Sequence, residues 1–224
     1  MQRKLSIKTT PKSLAYLAHR ICTLESSLKG RLATTIEDAV LRVLVAASAK
    51  SNKLRVLEIG TLFGIGLAMI HGHTRHRFDS VHLTAIDPLE GYYDKDTRDI
   101  ITDEAVDEAI FRDNLATAGM LESDYTLIRG MSTDDSAIEA AGKSIYEVLI
   151  IDGDHSYAGV KSDFINFAPF VKRGGYIIFD DYGSSDWPDV KEFVDKSVRD
   201  NPDVALVGAS WRTAVFRIVK KIKV

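Results

Sequence analysis

Apolar positions change their spacing near residue 53, and that change divides the chain. Before it the period is helical: Leu14, Leu17, Ile21, Leu24 and Leu28 recur every three or four residues, with Thr10-Pro11 as a start signal and Gly30 as a stop. A second helix is expected from the capping box Thr34-x-x-Glu37, with Ile36, Val40, Leu44 and Ala47 on its apolar stripe and an end near Lys50. From Leu54 onward, short apolar runs alternate with helical stretches: RVLEIG, VHLTAID, YTLIRG, YEVLIID and GGYIIFDD. The segments around 64–72, 105–118, 134–142 and 157–170 carry helical spacing between these runs, which is a βαβα alternation. A further helix starts at Pro188. Two last runs, 203–208 and 211–219, are too close for a crossover helix and read as an antiparallel hairpin at the sheet edge. The expected fold is therefore α/β, a doubly wound, Rossmann-like sheet of seven mostly parallel strands with an antiparallel C-terminal hairpin and N-terminal helices. Residues 1–50 form a helical appendage and 51–224 the main domain. The stripes of the appendage could pack on that domain, cover a substrate, or meet a second copy of the chain as a homo-oligomer.

Composition narrows the class. With 224 residues, 45% hydrophobic and 27% charged, the chain is neither disordered nor collagen-like. No window approaches about 18 uninterrupted apolar residues, so no membrane span is expected. The basic start MQRKLSIKTTPKS lacks an apolar segment after it, which favours a cytoplasmic enzyme over a secreted one. A single cysteine, Cys22, excludes a cysteine-cluster metal site and leaves oxygen or imidazole as metal ligands. Net charge is −3, yet residues 32–203 hold 17 basic against 31 acidic side chains. That acidic middle disfavours a nucleic-acid partner and suits a cationic ligand or a hard metal ion.

Candidate chemistry lies at the carboxyl ends of the expected strands, where doubly wound sheets bind ligands. The first loop is Glu58-Ile59-Gly60-Thr61-Leu62-Phe63-Gly64-Ile65-Gly66. Its GxxxGxG spacing departs from the dinucleotide GxGxxG, and Glu58 would repel a pyrophosphate but attract an ammonium group. Asp87 ends the second strand, where an acid reaches ribose hydroxyls or, equally, starts a turn before Pro88. Met131 and Ser132 follow the third strand, where they could border an adenine, Ser132 otherwise capping a helix. Asp152 and His155, in DGDHSY, and Asp180-Asp181 then close adjacent strands. Three converging carboxylates repel, so a bound cation such as Mg²⁺ or Mn²⁺, or raised pKa values, must offset them. His155 is placed to act as a base. His71, His73 and His76 read instead as a basic patch at a helix end. The long polar stretch 88–104, with Tyr92 and Tyr93, is either a lid or a surface insertion.

On these motifs the chain resembles the class I S-adenosylmethionine-dependent methyltransferases, and within them the metal-dependent O-methyltransferase branch. LEIGTLFGIG is similar to that branch's first motif, and IDGDHSYAGVKSDF with GGYIIFDDYG to its metal-binding strands, especially in macrocin-type sugar O-methyltransferases. The resemblance covers roughly 54–182. Gly66 stands where many relatives have Ser, and Asp180-Asp181 where catechol-type relatives have Asp-Asn. The resemblance implies that Glu58, Gly60, Thr61 and Gly64 hold the methionine end of S-adenosylmethionine, Asp87 its ribose, and Met131 and Ser132 its adenine. It implies Asp152, Asp180 and Asp181 as ligands of Mg²⁺ (or Mn²⁺), Asp152 also touching the cofactor, and His155 as general base toward a sugar-like hydroxyl acceptor. A catechol or phenol acceptor is the nearest alternative. A nicotinamide-dependent oxidoreductase and a non-catalytic nucleoside-binding module are the readings from other classes.

Overall fold

A computed structural model describes residues 9–91, 97–210 and 212–222. Among the described residues seven strands form one sheet: β1 (Lys53–Ile59), β2 (Ser80–Asp87), β3 (Tyr125–Arg129), β4 (Tyr146–Ile151), β5 (Val171–Phe179), β6 (Val204–Ser210) and β7 (Thr213–Ile218). Their order is β3-β2-β1-β4-β5-β7-β6, with β1 to β5 parallel and β7 antiparallel to both β5 and β6. The expected doubly wound sheet with its terminal hairpin is thus present. The chain order reverses between β1 and β4, so the carboxyl ends of these strands flank a crevice.

Strand alternation sends neighbouring residues to opposite helix layers. Leu54, Val56, Val148, Ile150 and Ile178 share a core with α1 (Pro11–Glu25), α2 (Ile36–Ala47), α3 (Ile65–Thr74) and α4 (Glu108–Thr117). Leu57, Ile59, Leu149, Ile151, Ile177 and Phe179 share the other with α5 (Asp135–Gly142), α6 (Tyr157–Phe167) and α7 (Pro188–Phe193). Being buried on both faces, β4 is apolar throughout apart from Glu147, whose Oε2 accepts the backbone N–H of Arg55 at 2.6 Å.

The helix ends differ from the sequence reading in ways that matter for the site. Thr10 and Ser13 cap α1 reciprocally, but the helix stops at Glu25 rather than running to Gly30. For α2 the N-cap is Thr35, whose side chain accepts the N–H of Asp38, so the expected Thr34 cap is displaced by one residue. Thr34 is thereby freed to reach Asp180. The more deeply buried face of α2 carries Asp38 and Arg42 among Ala39, Val43 and Ala46, while Ile36 and Leu44 are only partly buried. Ser132 does not cap α5 either; that position is Asp134, whose carboxylate accepts the Met131 N–H at 2.9 Å. His71, expected in a basic patch at the helix end, is buried, with Nε2 3.5 Å from Asp124.

Tyr92 and Tyr93 of the expected lid lie outside the described residues. Residues 97–106 fold back on themselves through an Arg98–Ala105 bridge, and the buried Asp99 carboxylate pairs with Arg31 at 3.0 Å. Among the described residues no helix is long and apolar enough to cross a membrane.

Candidate active site

A cavity of about 420 Å³ opens over the carboxyl ends of β1, β2, β3 and β4. Each binding residue expected from the sequence lines it except Gly64 and Asp180: Glu58, Gly60, Thr61, Asp87, Met131, Ser132, Asp152, His155 and Asp181 are on its wall.

One end is shaped by main chain. Gly60 has φ +77°, and a Cβ there would come within 2.0 Å of the Asp152 carbonyl oxygen, so only glycine lets the first loop lie this close to the next strand end. Gly64, at φ +73°, opens α3 and leaves no room for a side chain beside Phe111. Asp87 organises this loop: Oδ2 accepts the N–H groups of Thr61 (2.7 Å) and Leu62 (2.9 Å), and Oδ1 that of Leu89 (2.7 Å). Burial pushes its carboxyl pKa up, against the pull of those three N–H groups. Glu58 has the same strand parity as Val56 and so faces the α2 layer. Its Oε2 accepts the Thr61 hydroxyl at 2.8 Å and its Oε1 the Arg42 guanidinium at 3.3 Å. Burial still raises its pKa to about 7.

Side chains from four segments shape the other end. Arg42, only 4% exposed, donates from one nitrogen, Nη2, to Asp152 Oδ2 at 2.7 Å and to Asp180 Oδ2 at 2.6 Å. Burial works against the charge of the guanidinium, but Asp180, Asp152 and Glu58 together hold it firmly protonated. Asp180 Oδ1 also accepts from Thr213 at 3.1 Å and Thr34 at 3.4 Å. Asp181 sits at φ +54°, a left-handed backbone unusual for a non-glycine residue, which turns its carboxylate away from Asp180's partners. There it pairs with Arg212, from the β6–β7 turn, and with His155 Nε2 at 3.1 Å. The same Nε2 lies 3.5 Å from Asp152 Oδ1, and Trp187 stacks on the imidazole with centroids 4.8 Å apart.

The mutual repulsion expected of these acids is therefore offset inside the chain. Burial disfavours the charge of Asp152, yet Arg42 and His155 outweigh it and hold its carboxyl below the usual range. Asp180 goes the other way: burial, with Asp152 and Asp181 nearby, raises it to about 7 despite Arg42. For His155, burial lowers the pKa, but the two aspartates dominate and raise it to about 9. At pH 7 the imidazole holds its proton.

Donor atoms of Asp152, His155 and Asp181 lie within 4.8 Å of one another, an oxygen and imidazole set that fits a divalent ion such as Mg²⁺ or Mn²⁺. Here the structure differs from the expected three-aspartate set, because Arg42 and Thr213 engage Asp180. Arg42, Arg212 and Trp187 were not singled out from the sequence. Arg42 lies among apolar residues of a helix, Trp187 in a polar turn just before Pro188, and Arg212 in the hairpin turn; none has a motif spacing to the aspartates.

Residues 57–182 match the model of a family described as a methyltransferase domain. A relative from Acanthamoeba polyphaga mimivirus, the uncharacterized protein R132, is 29% identical over 160 residues, covering 70% of this chain. The chain spans only 64% of that relative's length. Among solved structures, CalS11, a TDP-rhamnose 3'-O-methyltransferase of calicheamicin biosynthesis, superposes with a TM-score of 0.60 at 14% identity, over 94% of this chain and 96% of that one. MycE methyltransferase, solved with Mg, SAH and mycinamycin VI, gives a TM-score of 0.55 at 16% identity, over 93% of this chain and 55% of that one.

Proposed function

The chain belongs to the methyltransferase-domain family, and from that premise we propose that it transfers a methyl group from S-adenosylmethionine to a hydroxyl oxygen of a sugar or glycan-like small molecule, assisted by Mg²⁺ or Mn²⁺. The observation that carries this reading is one continuous cavity with a glycine-lined, acid-flanked end and an Asp152–His155–Asp181 end. The sugar-type and Mg-containing neighbours favour the acceptor class and the metal by analogy. A cytoplasmic setting accords with the lone Cys22.

S-adenosylmethionine, when bound, supplies a methyl group made electrophilic by its sulfonium. A divalent ion held by Asp152 and Asp181, with His155 beside them, would lower the pKa of an acceptor hydroxyl and fix its orientation. The remaining work falls to the chain. Glu58 and Asp152 present negative charge to an ammonium group, and Asp87 keeps lone pairs for ribose hydroxyls while it holds the loop. Met131, 52% exposed, offers an apolar surface to a purine, with Ser132 beside it. Trp187 covers one face of the His155 ring and keeps water from it. His155 takes the hydroxyl proton at Nε2 only after shedding its own, which positive charge arriving beside Asp152 and Asp181 promotes.

Incubation with S-adenosylmethionine, Mg²⁺ and parallel sets of diol sugars and catechols tests the reading, with S-adenosylhomocysteine release and product mass as readouts. A methylated sugar, lost in chelator, is the expected result. Methylated catechol alone would reassign the acceptor, full activity in chelator would remove the metal, and absence of both cofactor binding and product would overturn the whole reading.

A further inference from the structure

The mechanism above leaves Arg42 and Asp180 without a role, although both are among the most buried charged groups of the molecule. Their arrangement is specific. A single guanidinium nitrogen lies between one oxygen of Asp152 and one of Asp180, at 2.7 and 2.6 Å, a position from which a divalent ion would otherwise draw both oxygens. The other terminal nitrogen reaches Glu58 at the opposite side, at 3.3 Å. Asp180 is 2% exposed and does not line the cavity, and its second oxygen is filled by the Thr213 and Thr34 hydroxyls. Asp181, next in sequence, faces the cavity and belongs to the donor group with Asp152 and His155.

Resting on the methyl-transfer reading, we infer that Arg42 is a resident cation of the site: it withdraws Asp180, and one oxygen of Asp152, from metal ligation and thereby weakens and confines divalent-ion binding to the Asp152–His155–Asp181 side. Arg42 is a positioning residue. It fixes Asp152 from the side away from His155, so that Oδ1 is the oxygen left for the cavity. Through Glu58 it ties this arrangement to the cofactor's ammonium end. The helix that carries it, α2, thus sets the charge of a site whose other members come from the sheet. A guanidinium suits this post because it is always protonated and its planar fork can serve three carboxylates at once.

The consequence runs against the usual effect of deleting a buried ion-pair partner. Arg42→Met keeps the volume and removes the charge, leaving Asp152 and Asp180 oxygens free to bind an ion. Mn²⁺ affinity, measured on the full chain by electron paramagnetic resonance titration, should tighten about tenfold or more, the scale on which supporting residues alter metal sites. Asp180→Asn alone should change Mn²⁺ affinity less than about threefold, whereas Asp181→Asn should weaken it by about tenfold or more. In Arg42→Met/Asp180→Asn the part of the tightening owed to Asp180 should vanish, a coupling that a merely structural defect would not produce. Arg42→Lys, which keeps a cation, should restore affinity toward the wild-type value and serves where the methionine variant does not fold. Calorimetry with S-adenosylmethionine on the same proteins separates the two claims. Wild-type protein that binds cofactor while Asp180→Asn loses Mn²⁺ as Asp181→Asn does would overturn the role of Arg42 alone. Unchanged or weaker Mn²⁺ binding in a folded Arg42→Met protein would overturn it too. Failure of the wild type to bind cofactor would strike instead at the reading on which it rests.

Discussion

At the glycine-loop end of the cavity the shape is set by backbone: Gly60 on the wall and Gly64 next to the lining residue Ile65, both in left-handed conformations, and the N–H groups of Thr61, Leu62 and Leu89 gathered on Asp87. At the carboxylate end it is side chain. Arg42, Asp152, His155, Asp180, Asp181 and Arg212 arrive from four separated segments and hold each other by charge. The first end fails when space is taken, the second when charge is changed. Their perturbations should therefore differ in kind: steric changes at one end should act on cofactor affinity, and electrostatic changes at the other on turnover.

The sharpest test of that contrast is His155→Ala. Loss of the proposed base should cut turnover about 10²- to 10⁴-fold, while calorimetric affinity for S-adenosylmethionine stays near the wild-type value. An equal loss in both would erase the distinction between the ends. Gly60→Ala is the converse. Its Cβ would meet the Asp152 carbonyl at 2.0 Å, in a backbone conformation that alanine rarely adopts, so cofactor affinity should fall about a hundredfold, or roughly 3 kcal/mol. Normal cofactor affinity in this variant would show that the loop can move.

A smaller, graded effect belongs to proton and metal. As the proposed base His155 would work only when neutral, and its two aspartates raise its pKa to about 9, so kcat/KM at low metal should rise about tenfold per pH unit as pH approaches 9. Saturating Mg²⁺ should move that limb to lower pH, because a cation near Asp152 and Asp181 opposes the proton. A metal-independent limb would detach His155 from the carboxylate end. The smallest effect is expected beneath the cavity. Asp163 on α6 is buried, with Ser132, Asp154 and His155 around it, and burial raises its pKa to about 7. The folded state therefore favours the protonated acid. Its stabilising contribution is full below pH about 4 and is lost as pH rises through 7. Asp163→Asn should accordingly raise the melting temperature at pH 8 by a few degrees, on the order of 1 kcal/mol, and change it little at pH 4.

The contrast between the ends also explains what could be read from residues alone. The sheet was legible because its strands are short apolar runs broken by turn residues, and the hairpin because the two residues between 208 and 211 leave no room for a crossover. Gly60, Asp87, Met131, Ser132 and Asp152 could be expected over the sheet, and all five line the cavity, because each stands at or shortly beyond a strand end. Arg42 was not legible. Asp38 and Arg42 are four apart on α2, a spacing that ordinarily marks an exposed ion pair, and the stripe of Ile36, Val40, Leu44 and Ala47 pointed elsewhere. The available signal was the second apolar set, Ala39, Val43, Val45 and Ala46, which leaves that helix little solvent face. Arg212 and Trp187 depend on where a turn lands after folding, and local pattern does not encode that. Asp180 and Asp181 were recognised as a pair, but their divergence required the φ of +54° at Asp181.

The span of chain bridged at the carboxylate end has a kinetic meaning. Arg42 meets Asp152 across 110 positions, Thr34 meets Asp180 across 146, and Ser210 meets Asp38 across 172. Contacts this distant along the polypeptide carry a large loop-closure entropy, so they close only after the local β-α units have condensed. The carboxylate end of the cavity is then among the last parts to consolidate during folding, and interactions made there act mainly by slowing escape from the native state rather than by hastening arrival.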